Sequence, residues 1–297
     1  MMLQAQHRTL YLCNKNFFYT MNIVILGRVG GDSIHIREES VLMDPSPLDF
    51  GRDNSSILVT STNVTMRTIK VDKSLQDMFR VEYNQINPYR KFPILDVNDI
   101  VDQKYVELYL GNLSPGRDYE VTVTSIREDL PSRPWKGLIT TKPLKPLNLS
   151  VSEINSTCVK LLWNLPYDSG ADRFKIAYGE MQGDPPTTKL ETTYTQKDAD
   201  LCEQIIPGQS YLFAVIAEKS HQISDAGTTS YTVRPLPPIE VNVMPDFEKG
   251  KYKVSVDLPH QKYSKIDKCT ITVVSEQLQK SEKTVKANID GEKDIAR

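Results

Sequence analysis

Along most of this chain the hydrophobic residues stand two apart. Leu149 and Val151 alternate with polar neighbours, then Val159, Leu161 and Trp163, then Phe174, Ile176 and Tyr178, then Tyr211, Phe213, Val215 and Ala217. Successive side chains of an extended strand point to opposite faces, so each run predicts a strand with one face on a core and the other toward water. Turn residues separate the runs: Pro166, Asp168-Ser169-Gly170, Pro185-Pro186 and Pro207-Gly208. No helical period shows between Asn54 and about Ser275. Short strands with closely spaced turns predict an all-β chain of sandwiches.

The pattern repeats along the chain. Leu113, Pro115, Gly116, Tyr119, Val121 and Val123 recur 92 residues later as Ile205, Pro207, Gly208, Tyr211, Phe213 and Val215. The same offset carries the proline-rich stretch 142–146 onto 234–238, and Asn63 and Thr65 onto Asn155 and Thr157. Such internal repetition defines units at 51–142 and 143–234. Phe79, Val81 and Tyr83 correspond to Phe174, Ile176 and Tyr178 after a three-residue shift in the preceding loop. A third unit, 235–297, begins with Val254 and Val256 at the places of Leu161 and Trp163, and continues with Cys269, Ile271 and Val273 at those of Phe174, Ile176 and Tyr178. Its own Pro-Gly and Tyr corner would fall 92 residues after the second, past Arg297. The third sandwich is therefore expected to be incomplete and the sequence to be part of a longer protein, since a sheet lacking its last strands has an unpaired edge. Residues 1–50 match no unit and are expected to be an atypical segment, disordered or a remnant.

The recurring residues have a physical reason to be spaced as they are. Gly116 and Gly208 permit a sharp turn between strands, and Pro115 and Pro207 stiffen it. Tyr119 and Tyr211 then fold their rings into the core and return the hydroxyl to upstream backbone, a tyrosine corner whose hydrogen bond is worth about 1 kcal/mol. Trp163 is expected at the centre of the second core, with Val71 in its place in the first. The proline-rich joints predict sandwiches held in semi-rigid succession.

Composition narrows the function. The 297 residues suit two or three domains, and a net charge of −2 with a pI near 6.1 gives no pull toward nucleic acid or anionic lipid. No stretch reaches the roughly 20 apolar residues that span a bilayer, so any membrane attachment needs a span absent from this chain. Phe17 to Gly27 has about the length of a signal-peptide apolar core, but Asn14-Lys15-Asn16 interrupts the approach and no small-residue cleavage site follows. The four cysteines form no CxxC pair, the four histidines are scattered, and Gly27-Arg28-Val29-Gly30-Gly31 lacks the lysine of a phosphate loop. No metal or cofactor is expected.

The Pro-Gly and Tyr corners, Trp163, the Phe174, Ile176 and Tyr178 strand and the 92-residue spacing together resemble fibronectin type III domains, over about residues 51–297. The joints, Thr141 to Leu149 and Val233 to Val241, resemble those in the ectodomains of receptor-type protein tyrosine phosphatases, the subgroup of the vascular endothelial and density-enhanced phosphatases and their invertebrate relatives. That resemblance implies tandem fibronectin type III β-sandwiches in a single-pass membrane protein, on the extracellular side, with an adhesive or ligand-sensing ectodomain and an intracellular phosphatase. A phosphatase loop needs His-Cys-x-x-Gly-x-x-Arg, in which a low-pKa thiolate sits among backbone amides. Here the cysteines follow Leu12, Thr157, Leu201 and Lys268, so this chain is expected to be no enzyme.

Five Asn-x-Ser/Thr sequons, at Asn54, Asn63, Asn112, Asn148 and Asn155, suit a secretory context and predict glycosylation. Cys158 and Cys202 fall on strands that neighbour each other in this fold. A bridge would close a loop of about 45 residues and contribute about 4 kcal/mol. Cys158, however, has the opposite parity to Val159 and Leu161, which leaves a disulfide and two free thiols both open. Cys269 has core parity and is expected to be a small buried hydrophobe. The polar loops 127–134 and 218–226 lie where sandwiches often bind partners, and Arg127, Arg133 and Trp135 could form an interface anchor there. The expected partner is a protein or glycan at the cell surface. A secreted adhesion or matrix protein without a phosphatase and an intracellular scaffold are the alternatives.

Overall fold

The computed structural model describes residues 20–29, 32–42, 44–51, 56–70, 76–182, 188–247, 251–274 and 280–286. Every regular element among them is a strand, and none is a helix that could cross a membrane. The chain divides into two compact units, residues 1–141 and 142–297.

The first unit opens with an antiparallel hairpin of β1 (Thr20–Val29) and β2 (Asp32–Leu42). The run from Phe17 to Gly27, which has only the length of a signal core, is strand from Thr20 onward; residues 17–19 lie outside the described residues. A sandwich follows. Its first sheet orders β3 (Ile57–Val59), β4 (Val64–Ile69) and β8 (Tyr105–Leu110). Its second places β11 (Trp135–Thr140) beside β9 (Asp118–Arg127), β9 beside β5 (Met78–Gln85), and β5 beside β7 (Leu95–Asn98). Two-residue strands, β6 (Arg90–Lys91) and β10 (Leu130–Pro131), extend β5 and β9 respectively.

The alternation in sequence is the alternation in burial. Val106, Leu108 and Leu110 of β8 face inward while Tyr105, Glu107 and Tyr109 face out. Leu48 and Phe50 join this core, so the first sandwich takes in residues before the expected boundary at 51. Phe50 meets Trp135 edge to face with ring centroids 5.0 Å apart.

The second unit repeats the plan, with no counterpart of β6 among its described residues. One sheet orders β12 (Leu147–Asn155), β13 (Cys158–Asn164) and β16 (Asp198–Leu201). The other orders β19 (Gly227–Thr232), β17 (Ser210–Lys219), β14 (Arg173–Glu180) and β15 (Thr188–Thr193), with β18 (Gln222–Ile223) folding back on β17. Trp163 is buried at the centre and packs edge to face on Phe174.

The registers locate the slip between the repeats more closely than the sequence does. Val59 pairs with Val64 across four intervening residues, whereas Glu153 pairs with Val159 across five, with a bulge at Asn155. The core residues of β4 and β13 are thus offset by 95 rather than 92: Val64 answers Val159 and Met66 answers Leu161. Two expectations change. Asn63 is not the counterpart of Asn155; Thr60 is, and Thr60 Oγ1 accepts from the amides of Thr62 and Asn63 as Asn155 Oδ1 accepts from that of Thr157. Thr68, not Val71, stands where Trp163 does; Val71 itself lies outside the described residues.

In the third repeat β20 (Glu240–Asp246) pairs with β21 (Lys251–Asp257), and β22 (Lys268–Val274) with β23 (Lys280–Lys286), as separate two-stranded sheets. Val241 and Val243, which have the alternation of a core strand, are exposed.

Candidate interaction surfaces and joint

The two corners are built alike. Gly116 and Gly208 take left-handed φ values of 60° and 80°, which a side chain disfavours. Past each turn a buried tyrosine reaches back. Ser114 N donates to Tyr119 Oη at 2.7 Å, and Tyr119 donates to Gln85 Oε1 at 3.1 Å. Ile206 N donates to Tyr211 Oη at 2.8 Å, and Tyr211 donates to Gln204 O at 2.9 Å. Burial pushes both phenols above the ordinary tyrosine range, so both stay protonated donors. These groups are consumed by the fold and present nothing to a ligand.

The same holds for much of the expected anchor. Trp135 is half-buried against the first core, its ring lying over Gly137, where a Cβ would overlap it. Its parity matches buried Ile139 on the same strand, so its bulk belongs to packing, not to a partner surface. Arg133 is exposed, whereas the Arg127 side chain is largely covered, its Nε 3.9 Å from Glu128. The structure does not assemble these three into one anchor.

The loops joining the last two strands are short clasped hairpins. Ser132 Oγ accepts from Ser125 N at 3.0 Å and Ser224 Oγ from Ala217 N at 2.9 Å, and both serines are buried. They stand 92 residues apart, a recurrence present in the sequence and overlooked there. A second serine pair ties the joints. Leu144 N donates to Ser169 Oγ at 2.9 Å, and Leu236 N to Ser264 Oγ at 3.0 Å. Between the second and third repeats the joint is closed further, because Lys265 N donates to Pro207 O at 2.8 Å.

Cys158 and Cys202 are bridged, and Cys269 is free and half-buried rather than buried. The parity objection disappears in the register. Val159 pairs with Leu201, both inward, so Cys158 and Cys202 stand opposite each other as the next, outward pair. Of the sequons, Asn63, Asn112, Asn148 and Asn155 are in described segments, and Asn54 lies outside the described residues. Asn112 and Asn148 have φ values of 57° and 54°. Asparagine tolerates that region.

Two outward surfaces differ between the sandwiches. On the second, buried Glu218 of β17 holds Arg173 Nη2 at 2.6 Å and Lys175 Nζ at 2.5 Å, and Arg173 also reaches Glu191 at 3.2 Å. The hydrogen bonds from Arg173 and then Lys175 hold the Glu218 carboxyl below the ordinary glutamate range. The outer face of β12, β13 and β16 is likewise polar, with Lys160 between Asp198 and Asp200. The matching face of the first sandwich is apolar and aromatic. Leu58, Ile69, Tyr105 and Tyr109 are exposed there, Arg67 lies 4.0 Å over the Tyr105 ring, and a shallow groove of about 670 Å³ is lined by Leu58, Arg67, Ile69 and Tyr105. Among the described residues no group of His, Cys, Asp or Glu could hold a metal ion.

Comparison with known proteins accords with this architecture. Residues 47–143 match the family model of the Dep-1 second Fn3-like domain, 147–231 that of the Dep-1 third, and 233–296 that of the Dep-1 fourth. The chain belongs to the fibronectin type III family, as an array of domains of the Dep-1 kind. It is also 26% identical to mouse tenascin over 195 residues, 65% of this chain but 9% of that protein. It is 26% identical to the rabbit collagen alpha-1(XII) chain over 163 residues, covering 54% of this chain and 24% of that protein. The matched stretch is thus a small part of each relative's length. A two-domain fibronectin type III segment of chicken tenascin aligns with a TM-score of 0.43 at 18% identity, over 64% of this chain and 100% of that segment.

Proposed function

We propose that this chain is a non-catalytic binding and spacer array on the outside of a cell, within the ectodomain of a receptor-type protein tyrosine phosphatase. The observation that carries the reading is the run of Dep-1 second, third and fourth domains, matched in order and without a break longer than a few residues. The Cys158–Cys202 bridge supports an oxidising compartment, since structural disulfides persist outside the cytosol. The closed joint between the second and third repeats supports the spacer role, and the polar and aromatic outer faces are the surfaces left for a protein or glycan partner. The similarity to mouse tenascin and rabbit collagen alpha-1(XII) favours a second reading, an adhesion or matrix protein with no phosphatase.

Isolation of the natural protein with an antibody to this array separates the two. The first reading predicts that the isolated protein hydrolyses a phosphotyrosine peptide, loses that activity on thiol alkylation, and yields a His-Cys-x-x-Gly-x-x-Arg peptide. A parent with neither the activity nor the peptide leaves the second reading.

A further inference from the structure

Tyr109 is the last outward residue of β8 and is 58% exposed. Its ring does not stand off the sheet but leans along the chain. A Cβ built on Gly111 would lie 3.0 Å from Tyr109 Cε1 and 3.5 Å from Cζ. One residue further comes exposed Asn112, in a left-handed turn, which opens the sequon Asn112-Leu113-Ser114. The turn is fixed on both sides. Leu113 N donates to Thr62 O at 3.0 Å and its side chain is buried, while Ser114 N is held by Tyr119. An exposed aromatic ring thus lies over Gly111, the residue before an exposed glycosylation acceptor.

The chemistry of the acceptor's first sugar suits that face. A β-linked N-acetylglucosamine has equatorial substituents, which leaves axial C–H groups as an apolar face, and the negative face of an aromatic ring attracts such polarised C–H groups. Stacking also removes apolar ring surface from water. The arrangement is particular to this site. The residues three before Asn63, Asn148 and Asn155 are Thr60, Lys145 and Ser152, and before Asn54 stands Gly51. In the second repeat Gln204 takes the place of Asn112, with φ 58°, and Asp200, which pairs with Lys160 as Tyr109 does with Thr65, takes that of Tyr109.

We propose that Asn112 carries an N-linked glycan whose first N-acetylglucosamine packs on the exposed ring of Tyr109, covering the end of the aromatic outer face of the first sandwich. The proposal rests on the extracellular reading above. The occupant is a sugar of the chain's own modification; neighbouring Thr65, the partner of Tyr109 across the ladder, supplies a hydroxyl at the edge of the platform.

The test uses the whole chain secreted from eukaryotic cells, with glycan occupancy mapped by mass spectrometry after enzymatic release in heavy-oxygen water. Trimming to a single N-acetylglucosamine should leave its ring and acetyl protons shifted upfield by the tyrosine ring current, and Tyr109→Ser should abolish that shift. Loss of the glycan through Asn112→Gln or Ser114→Ala should lower the melting temperature of the first unit by about 2–6 °C, and by much less in a Tyr109→Ser background. Gln is the residue the second repeat carries at the equivalent turn, so Asn112→Gln keeps a compatible backbone. An occupied Asn112 with no upfield shift, or with equal melting changes in both backgrounds, overturns the stacking. A bare Asn112 beside occupied Asn63 or Asn155 overturns the modification while sparing the extracellular reading. Bare asparagines at every sequon overturn both.

Discussion

The carbonyl of Lys265 occupies the space that a side chain on Gly208 would need, and the amide of Lys265 donates to Pro207 O at 2.8 Å. The tyrosine-corner turn of the second repeat is therefore also its seat for the third. Ser264, next to Lys265, is fully buried and holds the joint leucine, Leu236. Two successive residues of one loop thus fix both the linker and the preceding domain.

Gly208→Ala should break this seat. Its left-handed φ of 80° costs a side chain about 1–2 kcal/mol before any clash, and the overlap with Lys265 forces the loops apart. Small-angle scattering should show a wider range of shapes than for the parent chain. An unchanged scattering profile would show that the seat does not set the joint.

The Cys158–Cys202 bridge spans 44 residues of sequence. Chain-entropy arguments give about 4 kcal/mol for a loop of that length. Melting of the second sandwich should fall by at least several degrees on reduction or in Cys158→Ser, with the first sandwich unaffected. Coincident melting with and without reductant would remove the bridge from the stability of the fold.

Tyr119→Phe and Tyr211→Phe should not cost the same. Each leaves a backbone amide, of Ser114 or Ile206, without its acceptor, at about 1–3 kcal/mol. Tyr119→Phe also deprives buried Gln85 of the donor to its side-chain oxygen, whereas the carbonyl that Tyr211→Phe releases belongs to exposed Gln204. Urea denaturation should therefore rank Tyr119→Phe as the more damaging; the reverse order would contradict the hydrogen-bond assignment.

Glu218 predicts a pH dependence. Its pKa is lowered in the folded state by the hydrogen bonds from Arg173 and Lys175, so the unfolded chain binds the proton more tightly. The stabilisation is complete above the ordinary glutamate range and is lost as pH falls through the depressed folded value. Melting of the second sandwich between about pH 7 and about pH 3 should decline in the parent and be flatter in Glu218→Gln, which should be less stable at neutral pH because Arg173 and Lys175 then lose their buried anion. A parallel decline in both would place the titration elsewhere.

Much of this fold is legible in the sequence because its determinants are local. Period-two alternation fixes which side of a strand is buried, and the Pro-Gly and Tyr spacing fixes the corner, so β9 and β17 and their preceding turns were placed from the residues alone. What misled was the assumption of one constant offset. The turn before β13 has one residue more than that before β4, and the core residues of the two strands stand 95 apart rather than 92, which relocated the partners of Asn63, Asn155 and Trp163. The parity of Cys202 was hidden for a related reason: it lies just past the end of β16, where only the pairing of Val159 with Leu201 shows which face it takes. Trp135 follows a polar loop, where an interface anchor is expected, yet Phe50, outside the expected domain, completes its packing. Ser132 and Ser224 left a signal at the 92-residue offset, and Ser169 and Ser264 one at 95, but hydroxyl groups that accept backbone amides carry no mark in hydropathy.

The extracellular placement underlies the proposed function, and one measurement reaches it most directly. Intact cells expressing the natural protein are labelled with a membrane-impermeant reagent, and the protein is then captured with an antibody to residues 47–296 and treated with a glycosidase. The account predicts labelling without permeabilisation and a mass shift on deglycosylation. Labelling only after permeabilisation, with no shift, would contradict it and leave an intracellular scaffold of the same fold.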